Sequence, residues 1–301
     1  MKSRRHQRIV YISIKLTFLA SLVAVLLFNY GCEPDYEDII LCDGSDDVRL
    51  AYRMQSSVGR IPPGEQVMVE NGYSFLYLDG QCRYWAFPRE YDGSSDSIWS
   101  DVVTGKLTPG QEAKLKDDLS VIQWQAWDQK HFHEPGLFDA GTATFWTPMA
   151  MFQCSGDCGS NLREEIYTNT RTWIRTLAEQ GDPVEGAVRV AAIIMPDEAL
   201  PNPLQPVPED IDLREHAVSF GDAYNICFGD GILVTGDVAD TLRRYRREYY
   251  GGKYGNFDYR YLPLEAADGQ KYMVYVRDTT PPEGDNGLVQ LEGISTSICP
   301  D

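Results

Sequence analysis

The chain predicts an α+β fold in which antiparallel β meanders pack with about three amphipathic helices and are cross-linked by disulfides. Three observations predict it. Short apolar runs flank Asn71-Gly72, Asp79-Gly80 and Asp268-Gly269, dipeptides suited to the two positive φ angles of tight hairpin turns. Segments starting near Thr108, Asn161 and Asp237 space their apolar residues at the helical period. Seven cysteines leave an even six once Cys32 is set aside.

Composition bounds the function. A 43% hydrophobic and 12% aromatic content is enough to build a core. Lys+Arg number 27 against 45 Asp+Glu, a net charge of −18. Residues 1–31 hold five of the cations (Lys2, Arg4, Arg5, Arg8, Lys15) and no acid, so the remainder carries −18 − 5 = −23. That excess repels nucleic acid and anionic lipid. The acids are scattered and form no D-x-D-x-D-G calcium loop.

The first segment is basic and then apolar from Ile9 to Phe28, broken at Lys15, so the uninterrupted core is Leu16–Phe28. Gly31-Cys32 follows. The pattern resembles a bacterial lipoprotein signal over the first 32 residues. The resemblance implies that 1–31 are removed and that Cys32 is lipidated with palmitate-type chains and becomes the N-terminus. An uncleaved membrane helix is the alternative, since Ile9–Phe28 just reaches the roughly 20 residues of a span. Both readings put the body outside the cytoplasm, in the cell envelope. In a cell with two membranes, Glu33 after Cys32 implies delivery to the outer membrane.

Residues 32–41 read as a short acidic tether, 42–195 as the first part of the α+β body, 196–208 as a connection holding five prolines, and 209–301 as a second part or subdomain. In the first part, Val48–Met54 is a strand. Tyr73–Leu78 and Gln81–Phe87 form a hairpin whose two-residue loop sets Phe75 opposite Tyr84. Phe75, Tyr77 and Tyr84 then share one face and Leu76, Leu78, Trp85 and Phe87 the other, a packed core or an aromatic surface for sugar or peptide. Thr108-Pro109-Gly110-Gln111 starts a helix with a capping box. Thr142–Trp146 and Met149–Phe152 are extended, Asn161–Gln180 is the longest helix, and Val188–Met195 is an unbroken apolar strand of the mid-sheet kind. Past the prolines, Ile232–Thr235 is a short strand, Asp237–Tyr250 a helix, and Tyr259–Leu264 with Gln270–Arg277 a last hairpin.

Export makes Cys42, Cys82, Cys154, Cys158, Cys227 and Cys299 candidates for three disulfides with 15 connectivities. The expectation is nearest-neighbour pairing: Cys42–Cys82, Cys154–Cys158 and Cys227–Cys299. His131-Phe132-His133 places two imidazoles on one side of a strand, able to grip a metal with Asp128, Glu134 or distant His216 as a further ligand, or simply to line a surface loop. Arg243, Arg244, Arg246 and Arg247 could hold an anion or pair with the chain's own acids.

The order strand, Cys154-x-x-x-Cys158, helix, strand is similar to that of Sco-type copper chaperones of the thioredoxin class over about 50 residues. The resemblance implies copper or thiol–disulfide handling by Cys154 and Cys158 with His216. A local structural disulfide competes with it, because the chain lacks the prolines of that class.

Neither G-x-S-x-G nor H-E-x-x-H is present, and no catalytic set or cofactor motif stands out. The expected role is therefore a membrane-anchored envelope lipoprotein that binds or supports without catalysis. Its partners are the bilayer, through the lipid, and an envelope protein or glycan. A thiol–disulfide or copper-handling protein and a metal-dependent enzyme at His131/His133 are the alternatives.

Overall fold

The computed structural model describes residues 39–55, 74–88, 101–119, 124–133, 142–155, 161–196, 204–219, 231–250 and 262–280. The first sheet is built from β1 (Val48–Gln55), β2 (Phe75–Asp79), β3 (Arg83–Phe87), β4 (Val103–Lys106), β5 (Lys130–His133), β6 (Thr142–Thr147), β7 (Ala150–Ser155) and β8 (Asp182–Pro183). Its order is β5-β7-β6-β1-β2-β3-β4-β8. Helices α1 (Pro109–Asp118), the short α2 (Trp124–Trp127) and α3 (Asn161–Gln180) come between these strands in the chain. The second sheet holds β9 (Val188–Met195), β10 (Gln205–Pro206), β11 (Ala217–Ser219), β12 (Ile232–Val234), β13 (Leu262–Glu265) and β14 (Lys271–Asp278), with α4 (Gly236–Tyr250) preceding the last hairpin. Its order is β10-β13-β14-β9-β11, with β12 also on β9. The fold is thus α+β, with three helices of ten residues or more among the described residues, and it is disulfide-bonded. Pairing is antiparallel except for β5/β7, β10/β13 and β9/β11.

Thr108 caps α1 as its spacing predicts: its hydroxyl accepts from the Gln111 N–H at 3.2 Å, and the Gln111 amide oxygen accepts from the Thr108 N–H at 2.8 Å. α3 presents Ile166, Thr170, Trp173, Ile174 and Leu177 to one face of the first sheet, where they meet Leu50, Tyr52, Leu76, Leu78, Phe145 and Phe152. Thr170 sits in this apolar stripe because its hydroxyl donates to the Ile166 carbonyl at 2.7 Å. Each large aliphatic side chain buried here contributes about 1.5–3 kcal/mol. Asp118 joins the two helices, accepting from the Trp173 indole at 2.8 Å and from Lys114.

The β2–β3 hairpin corrects the predicted register. Tyr77 pairs with Trp85 and Phe75 with Phe87, not with Tyr84. The loop has three residues, Gly80-Gln81-Cys82, closed by the Cys82 N–H donating to the Asp79 carbonyl at 3.0 Å. Cys82 takes the left-handed position with φ 63, the geometry of a three-residue loop ending in a bulge. Leu76, Leu78, Tyr84 and Ala86 therefore face α1 and α3. Phe75, Tyr77 and Trp85 share the opposite face with Trp146 and Val184, and all are buried. The aromatic face is core, with Phe75 stacked on Tyr77 and Phe87 at 4.9 and 5.8 Å.

In the second sheet β9 lies between β14 on one side and the short β11 and β12 on the other, the central place its unbroken apolar run predicts. It pairs with strands on the far side of the proline-rich run, which itself contributes β10. α4 covers this sheet with Ala239, Leu242 and Tyr245. No helix among the described residues is long and apolar enough to cross a membrane.

Candidate functional site

Three polar constellations lie within these elements. The first surrounds the end of the β2–β3 hairpin. Cys42 and Cys82 form a disulfide with Cα atoms 5.0 Å apart. It closes the segment that follows the predicted tether onto the hairpin. Ile39 and Leu41, at the end of the predicted 32–41 tether, are plugged into the core beside Leu78 and Leu115 and so belong to the body, while Ile40 points out. The Gly44 N–H donates to the Gly80 carbonyl at 2.7 Å and the Gly80 N–H to Asp47 at 3.0 Å. The approach is so close that a Cβ at Gly80 would lie 2.0 Å from the Asp43 carboxylate.

Charge locks the same turn. The Asp79 carboxylate accepts from the Arg83 backbone N–H at 2.8 Å and from its guanidinium at 2.6 Å, and Arg83 also reaches Asp46 at 2.7 Å. The hydrogen bond to Asp79 holds Arg83 above its usual pKa. Asp43 is held below the usual carboxylate range by the Ser45 hydroxyl and backbone N–H, with a smaller contribution from Arg49. Beyond β3 and β4, the Leu107 N–H donates to the Cys82 carbonyl at 2.9 Å, which seats the start of α1 beside the disulfide. Glu112, in the first turn of α1, brings a carboxylate oxygen within 4.8 Å of both sulfurs. All three residues are half-buried. Among the described residues they are the one group of three potential metal-ligating side chains.

The second constellation is a polar row across the sheet: Arg53, Thr144, Gln153 and His131 are successive partners on β1, β6, β7 and β5. His131 Nε2 lies 2.7 Å from the Ser155 hydroxyl, which lies 2.8 Å from Thr142 Oγ1. His133 stands opposite Ser155 in the register. His216 follows Leu213 in a turn of the second sheet's chain. Among the described residues, His131 and His216 belong to no group of three potential metal-ligating side chains.

The third is the arginine group. Arg243 donates to Asp278 at 2.7 Å, to the Gly186 and Ala187 carbonyls at 3.0 and 3.1 Å, and to Asp240 at 3.2 Å. Arg246 donates to Asp278 at 2.6 Å, to Asp101 at 2.7 Å and to the Val276 carbonyl at 3.1 Å. Arg247 also bonds Asp101, at 2.6 Å, and Arg244 pairs with Glu248 on the surface. The Val102 N–H donates to Asp278 at 3.2 Å, so the cluster ties the first sheet's chain to α4 and β14. Burial would raise the Asp278 pKa; the Arg246 charge and the Arg243 hydrogen bond overcome it and leave the group below the usual carboxylate range. These arginines are committed to the chain's own acids and carbonyls.

Among the remaining predicted residues, Cys154 is disulfide-bonded and fully enclosed in the core. Cys32, Cys158, Cys227 and Cys299 lie outside the described residues, as does the hairpin predicted at Asn71-Gly72. A cleft of about 940 Å³ beside Asp182, Asp240 and Arg247, and another of about 760 Å³ beside Asp212, His216 and Leu233, are separate from the disulfide.

Sequence reasoning missed Glu112. It stands 30 positions beyond Cys82, and only the β3–β4 pairing with the Leu107–Cys82 bond brings it back. It also missed Ser155 as the partner of His131, since the parallel β5/β7 pairing follows from no local signal. No family model matches the chain, and neither a curated protein nor a solved structure matches it.

Proposed function

We propose that the chain is a lipid-anchored cell-envelope protein whose working group is the Cys42–Cys82 thiol pair, opened and closed by thiol–disulfide exchange where the tether joins the body. The observation that carries it is the half-buried disulfide with the Glu112 carboxylate close to both sulfurs. A thiolate attacks a disulfide along an accessible path, and a nearby carboxylate can take up or return the proton that exchange moves. Cys82 also holds a left-handed backbone, which costs about 1–2 kcal/mol in a residue with a Cβ. Cys154, sealed in the core, offers no such path, so thiol handling moves from the C-x-x-x-C loop to the hairpin.

Opening the bond would remove the covalent tie between Cys42 and Cys82 without dismantling the sheet, because buried Ile39 and Leu41, the Gly44–Gly80 bond and the Asp79–Arg83 contacts remain. Removal of residues 1–31, a lipid on Cys32 and an outer-membrane address in a two-membrane cell belong to the same proposal.

The test is a graded reduction of the exported protein by a small dithiol, followed by alkylation and peptide mapping. Cys42 and Cys82 are expected to be labelled before Cys154. Labelling of Cys154 first, or of all three together only on unfolding, removes the reading.

A further inference from the structure

Resting on that reading, we propose that the reduced pair is a redox-gated zinc site: Cys42 and Cys82 thiolates and the Glu112 carboxylate hold one Zn²⁺, with a fourth position left to water. The distances allow it. Tetrahedral zinc with Zn–S near 2.3 Å sets its two sulfurs about 3.8 Å apart and its carboxylate oxygen at about 2.0–2.2 Å from the metal. The Cα separation of 5.0 Å and the 4.8 Å envelope of the three donor atoms reach that arrangement with side-chain movement alone.

Glu112 is free for the task. Its carboxylate makes no hydrogen bond or ion pair among the described residues, while neighbouring Asp43, Asp46 and Asp79 are engaged by Arg49 and Arg83. The capping box and the Leu107–Cys82 bond fix the turn that presents it. The donor set selects the metal. Two thiolates with a carboxylate suit borderline Zn²⁺, whereas Cu(I) prefers sulfur and gains little from an oxygen ligand.

Redox state gates the site through charge. In the disulfide the sulfurs are bonded to each other and offer no thiolate. Two electrons and two protons from a dithiol of another protein convert them to thiols, and zinc then displaces those two protons as the two Zn–S bonds form. Zinc therefore favours the open form. At a hundredfold excess over its dissociation constant it raises the midpoint potential by about 59 mV, from 29.6 mV per decade.

The experiment uses the mature protein and Co²⁺ as the spectroscopic probe for Zn²⁺, with Zn²⁺ competition. Reduced protein is expected to bind one Co²⁺ with thiolate-to-cobalt charge-transfer and tetrahedral d–d bands, and zinc to displace it. Oxidised protein and the Cys42→Ser/Cys82→Ser variant are expected to show no such bands, and Glu112→Gln to weaken binding at least tenfold. Equal binding by the oxidised form, no thiolate bands on reduction, or a Glu112→Gln affinity unchanged from the parent overturns the site. A preference for Cu(I) insensitive to Glu112→Gln overturns it as well. The exchange reading is scored separately by the metal-free potential. A high potential without cobalt binding leaves exchange standing and removes zinc, while cobalt binding with a very low potential does the reverse.

Discussion

The hairpin clasp and the Arg–Asp cluster are both polar knots that tie distant parts of the chain, and they are built in opposite ways. The clasp is half-exposed and covalent, with charges arranged around its outside: Arg83 is 45% exposed while its partner Asp79 is 1%. The cluster is ionic and sealed, with side chains of Arg243 and Asp278 at 3% and 1% exposure. Solvent screens the Arg83–Asp46 pair and reaches Arg83 in its pair with buried Asp79, so the bond between Cys42 and Cys82 supplies a large share of the clasp's strength. The cluster has no such bond, and its strength depends on every charge keeping its partner. A knot that is accessible and reversible can act as a switch; one that is buried and interdependent can only be a support.

The largest effect expected follows from unpairing the buried charges. Asp278→Ala leaves Arg243 and Arg246 buried without their shared acceptor and should cost about 3–5 kcal/mol in urea unfolding. A loss below 1 kcal/mol would mean that the cluster is solvated and that the contrast with the clasp is false.

Next comes the bond itself. Closing a loop of 40 residues contributes about 4 kcal/mol in the chain-entropy account, and measured values typically fall near 2–4 kcal/mol. Cys42→Ser/Cys82→Ser should lower unfolding free energy by that amount and leave the circular dichroism of the sheets intact. Collapse of the sheet signal would make the clasp a structural support like the cluster.

A smaller change tests the close approach. Gly80→Ala puts a methyl group against Asp43 and the Ser45 N–H, so something must shift at a cost of about 1–3 kcal/mol. An unchanged melting temperature would show that the segment is not pressed to the turn.

Acid tests the buried cluster further. The folded Asp278 pKa is depressed, so its stabilisation is complete above the unfolded carboxylate value of about 3.9 and is lost as pH falls through the folded value. Unfolding free energy should decline from about pH 4 downward, and the decline should be shallower in Asp278→Asn. Identical slopes would contradict the buried pairing. The smallest effect belongs to the surface pair: Arg244→Ala should change stability by less than about 1 kcal/mol.

Local signals made the helices and most strands legible. Thr108 and Gln111 cap α1 as their spacing says, and the apolar run of β9 takes the centre of its sheet. The pairing of Cys42 with Cys82 was legible too, because no cysteine lies between them. The hairpin loop was not. Asp79-Gly80 has the composition of a two-residue turn, but the loop runs on through Cys82, whose left-handed backbone is held by a bond to a residue 40 positions earlier. Asp101 and Asp278 could not be assigned to Arg246 for the same reason: their partnership is set by how α4 seats against β13 and β14 and meets the residues just before β4, 145 and 32 positions apart. What is written in neighbouring residues can be read; what is decided by long-range packing has to be seen.

The midpoint potential of the Cys42–Cys82 couple, measured without metal in graded thiol buffers, tests the central claim most directly. An exchange-active pair should lie at or above about −270 mV, in the range of proteins that trade disulfides. A value below about −300 mV would make the bond a permanent cross-link and contradict the switch.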